Sequence, residues 1–156
     1  ETGVILFGFV IGGAVRGILV GILVSLLSLF FTKLQVEKLF ITILVVVLTA
    51  LLFALAGFIN GIFANKFDDI AIIPTFVLAP LTYLGGVFYS IELLPEFWQN
   101  VSVFNPILYM VNGFRLGMLG VSDVSLGMTY GVILIAGALL FSWCMILLHR
   151  GTGLRT

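Results

Sequence analysis

VILFGFVIGGAVRGILVGILVSLLSLFF, residues 4–31, runs for 28 residues with a single charge, Arg16. Three more uncharged runs follow: Leu39–Ala64 (26 residues), Ile70–Tyr89 (20) and Met128–Leu148 (21). A helix rises about 1.5 Å per residue, so ~20 apolar residues cross a hydrocarbon core of ~30 Å. Backbone groups left unpaired in lipid are costly, so only helices or a closed barrel can cross. Barrel strands alternate apolar and polar residues, and Leu44-Val45-Val46-Val47-Leu48 does not alternate. The runs therefore predict an all-α polytopic membrane protein with four transmembrane helices, over about 4–31, 39–64, 70–89 and 128–148.

Composition agrees. Hydrophobic residues make up 62% of the 156 residues and charged ones 9%, with a mean hydropathy of +1.31, whereas soluble domains carry about 25% charge. The net charge is zero, which leaves no basic stripe for nucleic acid. One cysteine, Cys144, and one histidine, His149, exclude an internal disulfide and a Cys- or His-rich metal site. The chain opens Glu1-Thr2-Gly3, with no Met, charged n-region or Ala-x-Ala site, and is expected to be a piece of a longer protein rather than to begin with a signal peptide.

The polar breaks are few: Thr32–Lys38, Asn65–Asp69, Ser90–Gly127 and the tail His149–Thr156. Four crossings put both termini on one side, with Lys66, Arg150 and Arg155, and leave Lys33, Lys38 and Arg115 on the other. The positive-inside count is tied. Arg115 belongs to a segment that reads as folded rather than as a free loop, and discounting it places the tail in the cytoplasm.

That segment, Ser90–Gly127, contains two helix starts. Pro95 precedes Glu96-Phe97-Trp98, and Asn105-Pro106 pairs a preferred N-cap with a residue preorganised for the first helical position. The apolar run Pro106–Leu119 has 14 residues, too few to cross. A helical hairpin over about 94–119 that dips into the membrane and returns is predicted, ringed at headgroup level by Phe88, Tyr89, Phe97, Trp98 and Phe104.

Several residues stand out of this frame. Gly13, Gly17, Gly21 and Ser25 recur every four residues, a smooth helix face that serves either internal packing or a subunit or moving interface. Arg16, about 18 Å along the helix from Val4, is too deep for easy snorkelling and is expected to meet a buried partner. In the hairpin, Arg115 needs a carboxylate, which Glu92 or Glu96 is expected to supply. Lys66-Phe67-Asp68-Asp69 is a charged turn in which Asp68 or Asp69 caps the following helix. No Gly-x4-Gly-Lys-[Ser/Thr] occurs, so this chain has no P-loop for ATP. None of its seven carboxylates falls in a predicted span, unlike the usual proton-coupled carrier. No nucleophile–base pair is visible either, and catalytic residues are expected to be none.

Ordered motifs carry a resemblance. Gly12-Gly13-Ala14-Val15-Arg16-Gly17, Lys66-Phe67-Asp68-Asp69-Ile70, Pro74 through Ser90, Leu94-Pro95-Glu96-Phe97-Trp98, Asn105-Pro106-Ile107-Leu108-Tyr109-Met110 and Gly113-Phe114-Arg115 together resemble the ABC-2 type permease family. The resemblance implies a six-helix permease of which this chain is similar to the last four helices. It implies a multi-pass protein of a bacterial inner membrane, with the C-terminus cytoplasmic. A second permease subunit and a separate cytoplasmic ATP-binding subunit, which would hold ATP and Mg, are implied as partners beside the lipid bilayer. By the same resemblance, the route or gate involves Pro74, Pro80, Tyr83, Gly85, Gly86, Glu92, Pro95, Glu96, Asn105, Pro106 and Arg115. Pro74 and Pro80 are expected to kink their helix, and Gly85-Gly86 to be a flexible point. The cargo class expected is amphipathic, lipid-linked or polysaccharide. An ATP-independent carrier or channel, or a non-transporting scaffold, are the alternative readings.

Overall fold

A computed structural model describes residues 2–33 and 35–151; Arg155, counted above in the tail, lies outside them. The described residues form helices α1 (Thr2–Ser28), α2 (Leu39–Phe63), α3 (Asp69–Ile73), α4 (Ala79–Leu84), α5 (Glu96–Val103), α6 (Pro106–Leu119) and α7 (Leu126–His149). Three helical stretches, Gly3–Ser28, Leu39–Phe63 and Leu126–His149, are long and apolar enough to cross a membrane. Their ends fall within three residues of the runs read from sequence.

Lipid tails are as apolar as leucine, so helices here associate through close packing rather than hydrophobic drive. Small residues make that possible. A methyl group on Gly13 would stand 3.0 Å from Ala54 Cβ, and one on Gly17 3.6 Å from Ala50 Cβ. The pairings run antiparallel and continue to Phe9 and Phe58, whose rings meet edge to face with centroids 5.1 Å apart. Half of the glycine ladder thus faces α2 within the same chain, whereas Gly21, Gly57, Gly61, Gly127 and Gly131 have open space around them. The Ser25 hydroxyl donates to its own helix at the Gly21 carbonyl, 2.8 Å away. On the other side of α2, Cys144 of α7 is fully buried among Leu6, Leu55, Phe58, Leu147 and Leu148. Leu6 beside Leu147 and Leu148 brings the start of α1 and the end of α7 to one end of the bundle. The Lys66–Asp69 turn, just past the end of α2, lies at that end as well.

The third predicted run, Ile70–Tyr89, is helical over only part of its length. Helix continues only over Asp69–Leu84, about 24 Å long, and Gly86, with φ +74°, turns the chain out. Its middle is a π-helical turn, Pro74–Leu78, between α3 and α4. Pro74 has no N–H to give to the Ile70 carbonyl four residues earlier. The Asn60 side chain of α2 donates to that carbonyl instead, at 2.9 Å. The Ala79 N–H reaches back five residues to the Pro74 carbonyl, a widened turn that makes room before the ring of Pro80.

Two local expectations also change. Asp68 holds the N-cap position of α3 without a side-chain capping bond. Asp69 turns backward instead, its Oδ2 accepting from the amides of Asn65 at 3.0 Å and Lys66 at 2.9 Å. Arg16 is exposed and has no hydrogen-bond or ion-pair partner among the described residues. No carboxylate stands on the neighbouring helices at its level.

Candidate functional site

Asn105 and Pro106 start α6 as their types dictate: the Asn105 Oδ1 accepts from the Ile107 amide at 3.0 Å. From there α6 climbs antiparallel to α2. Leu108, Tyr109 and Met110 pack with Leu52, near the middle of α2, and with Ile133 of α7. Farther up, a methyl on Gly113 would lie 2.9 Å from Val45 Cγ2 and 2.8 Å from Thr129 Cγ2. A methyl on Gly117 would lie 2.9 Å from the Thr42 backbone nitrogen. The Lys38 amide closes the top by donating to the Gly117 carbonyl at 2.8 Å. The turn between α5 and α6 therefore sits level with the middle of α2. This corrects Phe104, which is 89% exposed at that turn rather than grouped with the aromatic residues at the rim.

The end of α4 meets this turn. The Gly85 amide donates three residues back, to the Thr82 carbonyl, which frees the Leu81 carbonyl. Asn105 takes it, its Nδ2 donating at 2.6 Å. Gly85 is required by the contact itself, since a methyl there would stand 2.8 Å from Ile107 Cγ2. The Tyr109 hydroxyl donates to the Val103 carbonyl at 2.8 Å and pins the turn from inside. Asn105, only 3% exposed, thus caps α6 and joins it to α4 with one side chain. Asn105→Ala is expected to lower stability by about 2 kcal/mol, the sum of a lost cap and a stranded carbonyl. Denaturation of the purified protein by graded SDS, followed by loss of helical signal, measures it, and an unchanged midpoint would contradict this role.

Above this joint lies the single ion pair among the described residues. Arg115 Nη1 meets Asp123 Oδ2 at 3.1 Å, and Nη2 donates to the Gly86 carbonyl at 2.7 Å. Glu92 and Glu96, expected as its partners, are both exposed and unpaired among the described residues. Asp123 wins because Asn112, fully buried on α6, holds its loop: Asn112 Oδ1 accepts from the Asp123 amide at 2.8 Å. The Asn112 Nδ2 donates to the Leu108 carbonyl at 3.0 Å. The Ser90 hydroxyl adds a donor to Asp123 at 3.2 Å. Gly86 and Gly85 are both buried, so the pair expected to flex is a packed corner clamped by Arg115 and Ile107.

Of the residues singled out from sequence, Gly85, Gly86, Asn105, Pro106 and Arg115 converge here. Tyr83 stands at the edge, its carbonyl accepting from the Tyr89 hydroxyl at 2.9 Å. Pro80 lies one residue before Leu81, whereas Pro74 is at the Asn60 contact lower on the helix. Pro95 precedes α5, with its carbonyl accepting from the Trp98 and Gln99 amides. Arg16, Gly13, Gly17, Lys66, Asp68 and Asp69 are elsewhere. Asn60, Asn112, Asp123 as ion-pair partner, and Gly113 with Gly117 were missed. The last two share the four-residue spacing of small residues read in the first span, and Asn112 is a lone amide in an apolar helix. Asn60 had no such signal, because its partner is made needy by a proline fourteen residues later.

Comparison with known proteins defines the class. Residues 1–119 match the family model of the ABC-2 type transporter; the chain belongs to that family. It is 55% identical over 155 residues to the inner membrane transport permease YadH of Escherichia coli K12, covering 99% of this chain and 60% of that one. The same identity and coverage hold for the YadH of Shigella flexneri. Nodulation protein J of Rhizobium leguminosarum bv. viciae is 28% identical over 91 residues, 58% of this chain and 35% of that protein. The chain thus spans about 60% of the length of the permeases it matches best among these. No solved structure gives a significant match.

Proposed function

We propose that the chain is part of the transmembrane permease subunit of an ABC exporter in a bacterial inner membrane. It supplies the last four of six helices and a re-entrant outer hairpin. α3, the π turn and α4 make the third of these four crossings together with the corner at Gly85-Gly86, and α5–α6 make the hairpin. The observation that carries this reading is the α5–α6 turn: it is level with the middle of α2 and is tied by Asn105 to the end of α4. A route that ends at that joint would be opened by moving α4 against α6. The family match and the YadH relatives support transport as the task.

In this reading the chain does no chemistry. ATP and Mg are held by a cytoplasmic subunit, a second copy of the permease completes the route, and the Lys66–Asp69 turn and the C-terminus face the ATP-binding subunit. The cargo is amphipathic, lipid-linked or polysaccharide in type. Affinity purification of the full-length protein from its native membrane tests it. An ATP-binding subunit is expected to co-purify, with its hydrolysis rate changed by the permease. Absence of any such subunit, with transport persisting on an ion gradient after ATP depletion, would replace the exporter with a secondary carrier.

A further inference from the structure

The joint at Asn105 is reached through a helix with two irregular turns. Below α4 (Ala79–Leu84) lies the wide π turn Pro74–Leu78, and above it the Gly85 amide makes a tight, three-back bond to Thr82. An α-helix advances about 100° per residue. A five-back bond puts one extra residue into a turn and a three-back bond takes one out. The wide turn therefore shifts the phase of α4 by about one residue, and the tight turn removes that shift.

Each irregular turn leaves open a bond that a regular turn makes. The Ala79 amide donates to the Pro74 carbonyl, so the Thr75 carbonyl loses its four-back donor. Its five-back donor would be Pro80, which has no N–H. At the other end the Gly85 amide donates to Thr82, and the Leu81 carbonyl is left to the Asn105 side chain at 2.6 Å. One shift closes both gaps. Ala79 passes to the Thr75 carbonyl and Gly85 to the Leu81 carbonyl, which makes the segment α-helical throughout. Against this shift stand the Asn105 bond, which is lost, and the Pro80 ring, which in a regular turn presses on the Phe76 carbonyl.

The flanks are tied independently of α4. The Ile70 carbonyl, before the wide turn, accepts from Asn60 of α2 at 2.9 Å. The Gly86 carbonyl, after the tight turn, accepts from Arg115 at 2.7 Å. Asn105 caps α6 through its Oδ1 whichever acceptors α4 uses. The Asn105–Leu81 bond alone lies between the two irregular turns, and it is the bond that the shift releases.

We propose that α4 has two hydrogen-bond registers, and that passing from the π register to the α register turns it about 100° on its own axis and frees the hairpin tip. Asn60 at Ile70 and Arg115 at Gly86 hold the fixed ends, so a local exchange of hydrogen bonds becomes a discrete movement of one element. That this movement opens a route rests on the exporter reading above; the two registers do not.

Disulfide trapping in membranes that hold the full-length protein tests the registers without ATP or cargo. Gly85→Cys with Ile107→Cys puts two Cβ positions 3.3 Å apart in the π register, close to disulfide geometry. In the α register Gly85 turns with α4 and leaves Ile107. Pro80→Ala removes the ring from the regular turn, so the cross-link yield is expected to fall about fivefold or more. Deleting Val77 as well takes out the extra residue, leaves a regular helix with α4 in its original phase, and should restore the yield to within about twofold. Pro74→Ala, which relieves nothing at Phe76, should leave the yield within about twofold of the parent pair. In the protein without added cysteines, the amides of Ala79 and residues 81–85 should exchange with deuterium about tenfold faster than in Pro80→Ala lacking Val77, which has one register only. An undiminished yield in Pro80→Ala, or a fall that the deletion does not rescue, overturns the two registers. Equal deuterium exchange in the two proteins overturns movement between them. Neither readout depends on whether an ATP-binding subunit co-purifies, so failure of this proposal and failure of the exporter reading are told apart.

Discussion

Gly117→Ala is expected to unseat α6 and lower stability by about 3 kcal/mol, at the upper end of the overpacking range. The added methyl would stand 2.9 Å from the Thr42 nitrogen and 3.0 Å from its Cα, and would overlap its Oγ1. Nitrogen and Cα are main chain, so no rotamer change relieves them; α6 must move away from α2. Doing so breaks the Lys38 to Gly117 hydrogen bond and loosens the Gly113 contact with Val45 and Thr129. Gly131→Ala provides the matched control on α7, where nothing lies within 4 Å. There helix propensity alone acts, and a gain of up to about 1 kcal/mol is expected. SDS-titrated unfolding of the two variants should shift the midpoint in opposite directions. Equal shifts would mean that α6 does not pack on α2 as described.

The second large effect is at Arg115. Arg115→Ala leaves Asp123 and the Gly86 carbonyl without their main donor. A fully buried pair broken on one side costs ~3–5 kcal/mol and a surface pair is worth ~0–1. The two side chains are 21% and 23% exposed, so an intermediate loss of about 2 kcal/mol is expected after solvent screening. Arg115→Lys keeps the charge but cannot fork between a carboxylate and a carbonyl, and should recover less than half. A double-mutant cycle with Asp123→Ala separates the pair from the Gly86 bond. Arg115→Ala should still cost something in an Asp123→Ala background, because Gly86 remains. Strict additivity would show that the ion pair contributes nothing. If the exporter reading holds, the same variants should slow transport more than they lower protein levels, since the clamp ties the end of α4 to the hairpin.

Three long helices, the Asn105-Pro106 helix start and the folded nature of Ser90–Gly127 were legible in the residues. Each depends on information within about twenty neighbours: apolar length, a capping side chain, a run too short to cross. The glycine spacing at 13 and 17 likewise pointed to close packing, although the partner could not be named. The fate of Ile70–Tyr89 was legible only in outline: Pro74 and Pro80 marked a disturbed helix, but hydropathy does not register that the disturbance is a π turn or that Gly86 adopts positive φ.

What the sequence determined alone is a helical membrane protein with a folded, helix-bearing segment between its last two apolar runs, since the solvent of each stretch follows from its own composition. Only the tertiary structure decided which groups meet. Asp123 rather than Glu92 or Glu96 pairs with Arg115, because buried Asn112 holds the loop that carries it. Asn60 reaches Ile70 because Pro74 leaves that carbonyl open. Arg16 faces a groove rather than a carboxylate. In each case the partner is chosen by an unsatisfied hydrogen bond or charge on another helix, and that choice exists only once the helices are packed.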